Sequence, residues 1–155
     1  MWGSGKKVDI SGVLATGRPL ALDAHVRVPS FGSYTFAEPA RVAVEICRID
    51  HDLGLSGSIC ATASGVCDRC LRDVHTAIDV EVDECIPVGS QSEADFAESN
   101  VLEGTFLDVA DLARQLIDSA LPMLLLCSDD CPGLCPSCGS VLRDGPCTCS
   151  VSVKR

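Results

Sequence analysis

From Arg41 onward, hydrophobic and polar residues alternate with a period of two. Val42, Val44 and Ile46 share one face with Glu45 opposite, and Leu53, Leu55, Gly57, Ile59 and Ala61 form a second run. In a third, Val74, Thr76, Ile78, Val80 and Val82 alternate with His75, Ala77, Asp79, Glu81 and Asp83. Successive side chains of a strand point to opposite faces, so the pattern predicts an antiparallel sheet with one apolar face and one wet, acidic face. Asp50-His51-Asp52 and Gly54 supply turn chemistry between the first two runs, and Cys67-Asp68-Arg69-Cys70 falls at a hairpin tip between the second and third. Met1 to Pro29, with turn signals at Gly3-Ser4-Gly5 and Gly17-Arg18-Pro19, reads as irregular or lightly paired. Lys6-Lys7 after Gly5 lacks the upstream glycine half and the preceding strand of a phosphate-binding loop.

Gly89 to Gly104 is polar and acidic and reads as a mobile connection. The period then changes. Leu112, Ala113, Leu116, Ile117, Ala120 and Leu121 make a helical stripe, with Asp108 as N-cap and Pro122 as terminator. That stripe must be buried, and the sheet is the large apolar surface available. The expected fold is α+β: an antiparallel sheet covered by one main helix, residues 108–121, with a C-terminal zinc-binding lobe. Residues 1–126 form the core with its linker at 89–104. Residues 127–155 form the lobe, packed on the core through Cys67 and Cys70.

Composition changes this picture at one point. The chain has 155 residues, 46% hydrophobic and 22% charged, enough for one folded domain with a small satellite. Eleven of those residues are cysteine. Disulfides would need an exported chain, but Asp9, Arg18 and Asp23 interrupt any apolar leader in Met1 to Ala24. Reduced thiolates holding metal in the cytoplasm are the better reading. The formal net charge is −10; eight thiolates and two zinc ions take it to about −14. Such a surface repels phosphate backbones, and only 4% of the residues are aromatic to stack on bases. A basic protein partner suits it better.

Cys135-Pro136-Ser137-Cys138-Gly139 is the sharpest zinc-knuckle signal. A zinc–sulfur bond near ~2.3 Å sets tetrahedral sulfurs about 3.8 Å apart, a spacing that a Cys-x2-Cys turn provides. The glycine after the second cysteine admits the positive φ that ends the knuckle. Cys147 and Cys149 share a face of an extended chain and can close the same tetrahedron. Cys67, Cys70, Cys127 and Cys131 remain for a second site. A competing split groups Cys127, Cys131, Cys135 and Cys138, leaving Cys67 and Cys70 with Cys147 and Cys149. Four thiolates fill the zinc coordination sphere, so a structural, non-catalytic role is expected. A redox dithiol would follow a strand and open a helix, whereas Cys70 is followed by a strand. Cys47, Cys60 and Cys85 are expected as small buried hydrophobes, and His75 as an exposed strand residue rather than a ligand. Arg69 is expected to offset thiolate charge or pair with an acid, and Asp129 and Asp130 to be solvated.

Taken in order, Gly65-Val66-Cys67-Asp68-Arg69-Cys70-Leu71, the helix ending Leu121-Pro122, Cys127-x3-Cys131-Pro132-Gly133-Leu134-Cys135-Pro136-x-Cys138-Gly139 and Cys147-x-Cys149 resemble the YceD family, the large ribosomal RNA subunit accumulation proteins. The resemblance spans about Arg41 to Cys149. It implies a ribosome-biogenesis factor acting on large-subunit (23S) rRNA accumulation or processing, rather than an enzyme. It also favours one site of Cys67, Cys70, Cys127 and Cys131, with Cys135, Cys138, Cys147 and Cys149 as an added one. Arg143 and Asp144 stand where asparagine is common in the family. With the charge, the resemblance leads to an acidic adaptor for a basic large-subunit ribosomal protein or a pre-ribosomal particle. The rivals are direct rRNA contact through Arg143, Lys154 and Arg155, and a thiol redox or zinc-reservoir protein.

Overall fold

The computed structural model describes residues 6–88 and 101–149. Its main sheet has four antiparallel strands in the order β2 (Leu20–Val26), β3 (Ala40–Ile49), β4 (Asp52–Val66), β5 (Asp73–Pro87). The three alternating runs are β3, β4 and β5. Strands β4 and β5 pair continuously from Asp52↔Pro87 to Val66↔Asp73, so Cys67 to Arg72 cap a long hairpin. Asp50-His51 makes the β3–β4 turn with Asp50 in the left-handed region at φ 53°, whereas Asp52 and Gly54 lie within β4.

Two expectations for the flanks need correction. Met1 to Pro29 holds more structure than its irregular reading: β1 (Lys7–Asp9), the short helix α1 (Ser11–Thr16) and the whole of β2. Leu20, Leu22, Ala24 and Val26 alternate and pair with Ile46, Val44, Val42 and Ala40. The signal was present, but in a strand of 7 residues between turn signals, against 10 to 15 in β3, β4 and β5. Of the connection assigned to 89–104, residues 89–100 lie outside the described residues, and the rest is ordered. Val101 is fully buried, and β6 (Leu102–Glu103) pairs with β7 (Phe106–Asp108), which in turn pairs with β1. A two-residue hairpin around Gly104 at φ 61° is too short to show as a period.

Helix α2 (Val109–Ala120) follows directly. The Asp108 carboxylate accepts from the Asp111 N–H at 3.0 Å, the expected N-cap. Leu121 turns extended at ψ 137° because it precedes Pro122. Val109, Leu112, Ala113 and Ile117 are buried against the apolar sheet face, with Ile46, Leu53, Leu55 and Ile59 below them. Burying each large aliphatic side chain is worth roughly 1.5–3 kcal/mol. All of this covers one face of the sheet, so the other stays open. The fold is mostly antiparallel sheet with one main helix and a C-terminal cysteine cluster. Among the described residues no helix is long and apolar enough to cross a membrane.

Gly57 shows how closely β3 and β4 approach. A Cβ there would sit 2.1 Å from the Ala43 carbonyl oxygen and 2.7 Å from the Val44 Cα, both backbone. Gly57→Ala is expected to lower unfolding stability by about 3 kcal/mol, read by urea denaturation with metal present.

Candidate metal centres

Two turns in this chain share one backbone pattern. At the β4–β5 tip, the Cys67 N–H donates to the Arg72 carbonyl (2.8 Å) and the Leu71 N–H to the Cys67 carbonyl (2.9 Å). In the C-terminal region the Cys135 N–H donates to the Ser140 carbonyl and the Gly139 N–H to the Cys135 carbonyl, both at 2.8 Å. The residue just after the second cysteine of each turn is left-handed: Leu71 at φ 61° and Gly139 at φ 73°. In each, two backbone N–H groups point at the first sulfur, those of Arg69 and Cys70 at Cys67 and those of Ser137 and Cys138 at Cys135. Such a turn is built to hold a thiolate.

The chain leaving α2 is pinned beneath the first turn. Tyr34 donates its hydroxyl to the Pro122 carbonyl at 2.8 Å. Asp68 then holds Leu125 from both sides: its N–H donates to the Leu125 carbonyl at 2.8 Å, and its carboxylate accepts the Leu125 N–H at 2.7 Å. The segment after Leu125 therefore runs past the tip, and Cys127 and Cys131 reach Cys70 and Cys67 at 3.6 and 3.8 Å between sulfurs. Cys135, Cys138, Cys147 and Cys149 form a second group, with sulfur separations of 3.2 to 3.4 Å among Cys135, Cys147 and Cys149. In each group all four sulfurs lie within 4.8 Å of one another. Cys127 and Cys131 do not share a group with Cys135 and Cys138.

The donor chemistry fits a soft, tetrahedral cation. The first group's separations match the edge of a zinc tetrathiolate, about 3.8 Å; the second group is somewhat tighter. Electrostatics points the same way. Burial opposes ionisation of Cys67, but the N–H groups of Cys70, Cys127 and Arg69 outweigh it and bring its thiol down to about 6. Burial, together with its thiol neighbours, pushes Cys131 up to about 12. The Cys138 and Ser137 N–H groups hold Cys135 at about 6, whereas Cys149, against Cys147 and Cys135, is pushed far above the ordinary thiol range. Each group thus favours ionisation at some of its sulfurs and opposes it at another, because packed thiolates repel. A divalent cation removes that conflict, so both groups could hold metal ions.

The remaining candidates fall differently. Cys47, Cys60 and Cys85 are not buried: Cys60 and Cys85 are exposed and Cys47 is half-buried. They sit on the strand parity opposite to Val44, Ile59 and Ile86, which puts them on the open sheet face. His75 is exposed and hydrogen-bonds the Ser64 hydroxyl at 2.8 Å, away from both groups. Arg69 donates to the Asp129 and Cys131 carbonyls rather than to a thiolate or an acid. The cation on a sulfur is Arg143, whose Nη1 lies 3.1 Å from Cys127 Sγ. Burial opposes ionisation of Cys127, yet hydrogen bonds from the Cys131 and Cys70 thiols and from Arg143 hold it below the ordinary range. Spacing had no means of finding that contact, which spans 16 residues of irregular chain. Asp129 and Asp130 are exposed, as expected.

The family described as large ribosomal RNA subunit accumulation protein YceD matches residues 55–154, the larger part of the chain and all eight clustered cysteines. The chain belongs to the YceD family. It is 30% identical over 130 residues to an uncharacterized protein of Mycobacterium tuberculosis, covering 72% of this chain and 63% of that relative. An uncharacterized protein of Mycobacterium leprae is 30% identical over 112 residues, covering 67% of this chain and 49% of the relative. The chain thus spans less than two thirds of the length of these mycobacterial relatives. No solved structure matches it.

If the eight clustered sulfurs hold metal, loading must divide the cysteines. Zinc should protect those eight from iodoacetamide and leave Cys47, Cys60 and Cys85 open, read by peptide mass spectrometry. The Asp79 carboxylate beside Cys60 raises its thiol above the ordinary range. Less thiolate is therefore present at pH 7.5, and Asp79→Asn should speed Cys60 labelling. Equal protection of all eleven cysteines would contradict this division.

Proposed function

We propose that this YceD chain is a non-enzymatic ribosome-biogenesis factor of the cytoplasm. It supports accumulation of large-subunit (23S) rRNA by binding a basic large-subunit ribosomal protein, or a pre-ribosomal particle carrying one. The family's description supplies the RNA whose accumulation is at stake. The observation that carries the mode of action is the open face of the sheet. Asp79, Glu81 and Asp83 line β5 there, fully outward, and Glu45 joins them from β3 across Ser56 of β4. None of these four acids has an ion-pair partner among the described residues.

Acids at alternate strand positions repeat about every 6.8 Å, the same repeat as alternate residues of an extended basic segment. Such a row repels an RNA backbone and a second copy of itself, and attracts lysine- and arginine-rich chain. In this reading Cys67, Cys70, Cys127 and Cys131 ligate one zinc, and Cys135, Cys138, Cys147 and Cys149 another. All-thiolate sites are closed to water, so the metals shape the protein and perform no hydrolysis.

Affinity purification of the tagged chain tests the reading. Retention of a basic large-subunit protein should survive nuclease treatment and fall as salt rises. The triple variant Asp79→Lys, Glu81→Lys, Asp83→Lys should lose it while keeping its metal. Retention that vanishes with nuclease, leaving no protein partner, would refute the adaptor role and favour direct RNA contact.

A further inference from the structure

The loop that closes the second cysteine group is also the loop that reaches the first. Between Cys138 and Cys147 the chain makes a 3-10 turn at Leu142–Asp144. Arg143 leaves it to place Nη1 at 3.1 Å from Cys127 Sγ, and Asp144 accepts Arg72 through both carboxylate oxygens at 2.9 and 3.1 Å. Arg72 is itself part of the first knuckle, since its carbonyl receives the Cys67 N–H. The backbone joins in: the Leu142 N–H donates to the Gly133 carbonyl at 3.1 Å, and Leu134 bridges to Val141. Leu134 and Val141 then pack against the cluster of Cys67, Cys70 and Cys131.

Every one of these contacts needs residues 141–144 held in place, and that stretch is strung between Cys138 and Cys147, two sulfurs of the second group. Charge makes the coupling favourable. A tetrathiolate zinc carries a net charge of about −2, and two such centres side by side repel each other. The Arg143 guanidinium is tethered to one centre and seated on the other, so it offsets part of that repulsion. Outer-layer partners of this kind, when removed, typically weaken a metal site about 10- to 100-fold.

We propose that the two centres bind metal cooperatively, with Arg143 as the positioning residue that carries the coupling. Filling Cys135, Cys138, Cys147 and Cys149 seats the 141–144 loop and tightens metal at Cys67, Cys70, Cys127 and Cys131. By linkage the reverse holds by the same factor. The inference rests on the two-zinc reading above.

Competition with a chromogenic zinc chelator, on the full chain, tests it. Emptying the second group with Cys138→Ser and Cys149→Ser should weaken zinc at the first about tenfold. Arg143→Ala in the otherwise intact chain should weaken it by a similar factor, and Arg143→Lys should restore part of the loss. The decisive arm combines them: once the second group is emptied, Arg143→Ala should have no further effect. Timed alkylation of the Cys67–Cys70 and Cys147–Cys149 peptides assigns each release to its centre, even where the double cysteine variant folds poorly. First-centre affinity within twofold of wild type in both variants would overturn cooperativity while leaving two zincs in place. A wild-type chain that binds no zinc would overturn the two-zinc reading and this inference together.

Discussion

Four sulfurs from distant parts of the chain meet beneath the β4–β5 tip, and the arrangement of the C-terminal third follows from that meeting. Cys67 and Cys131 are 64 residues apart in sequence, and Cys70 and Cys127 are 57 apart. Bringing such distant groups together costs loop-closure entropy, and packed thiols return little because they cannot all ionise. A cation turns the same meeting into a cross-link whose binding free energy becomes folding free energy. The hydrogen bonds of Asp68 to Leu125 and of Tyr34 to Pro122 align the incoming chain, but they are too few to hold it alone.

The sheet and the main helix were legible because their signals are periodic. Val42, Val44 and Ile46 in β3 and Ile78, Val80 and Val82 in β5 repeat every second residue, and Asp108 and Pro122 bracket α2 chemically. What escaped was short or weakly coloured. Strand β2 has only 7 residues, and β6 and β7 have 2 and 3, flanked or held by the buried Val101 and Leu107. The three solitary cysteines were misplaced for a related reason. A preference for burial says nothing about parity, and strand parity puts Cys47, Cys60 and Cys85 on the open face.

The candidate centres were legible to the extent that spacing dictates geometry. Cys67 to Cys70 and Cys135 to Cys138 each enclose two residues and fold into the same turn. The left-handed residue after each turn was readable at Gly139 but hidden at Leu71, where a branched side chain takes a conformation costing roughly 1–2 kcal/mol. Hidden too was the part played by the residues between ligands. Arg143 and Asp144 look like ordinary loop charges until the fold sets them on Cys127 and Arg72. Long-range polar contacts of this sort have no periodicity, and only the assembled chain displays them.

The account stands on metal in both thiolate groups. Elemental analysis of the full chain, purified without added metal, should find two zinc ions per molecule, one for each cysteine group. A folded chain containing no metal would contradict it.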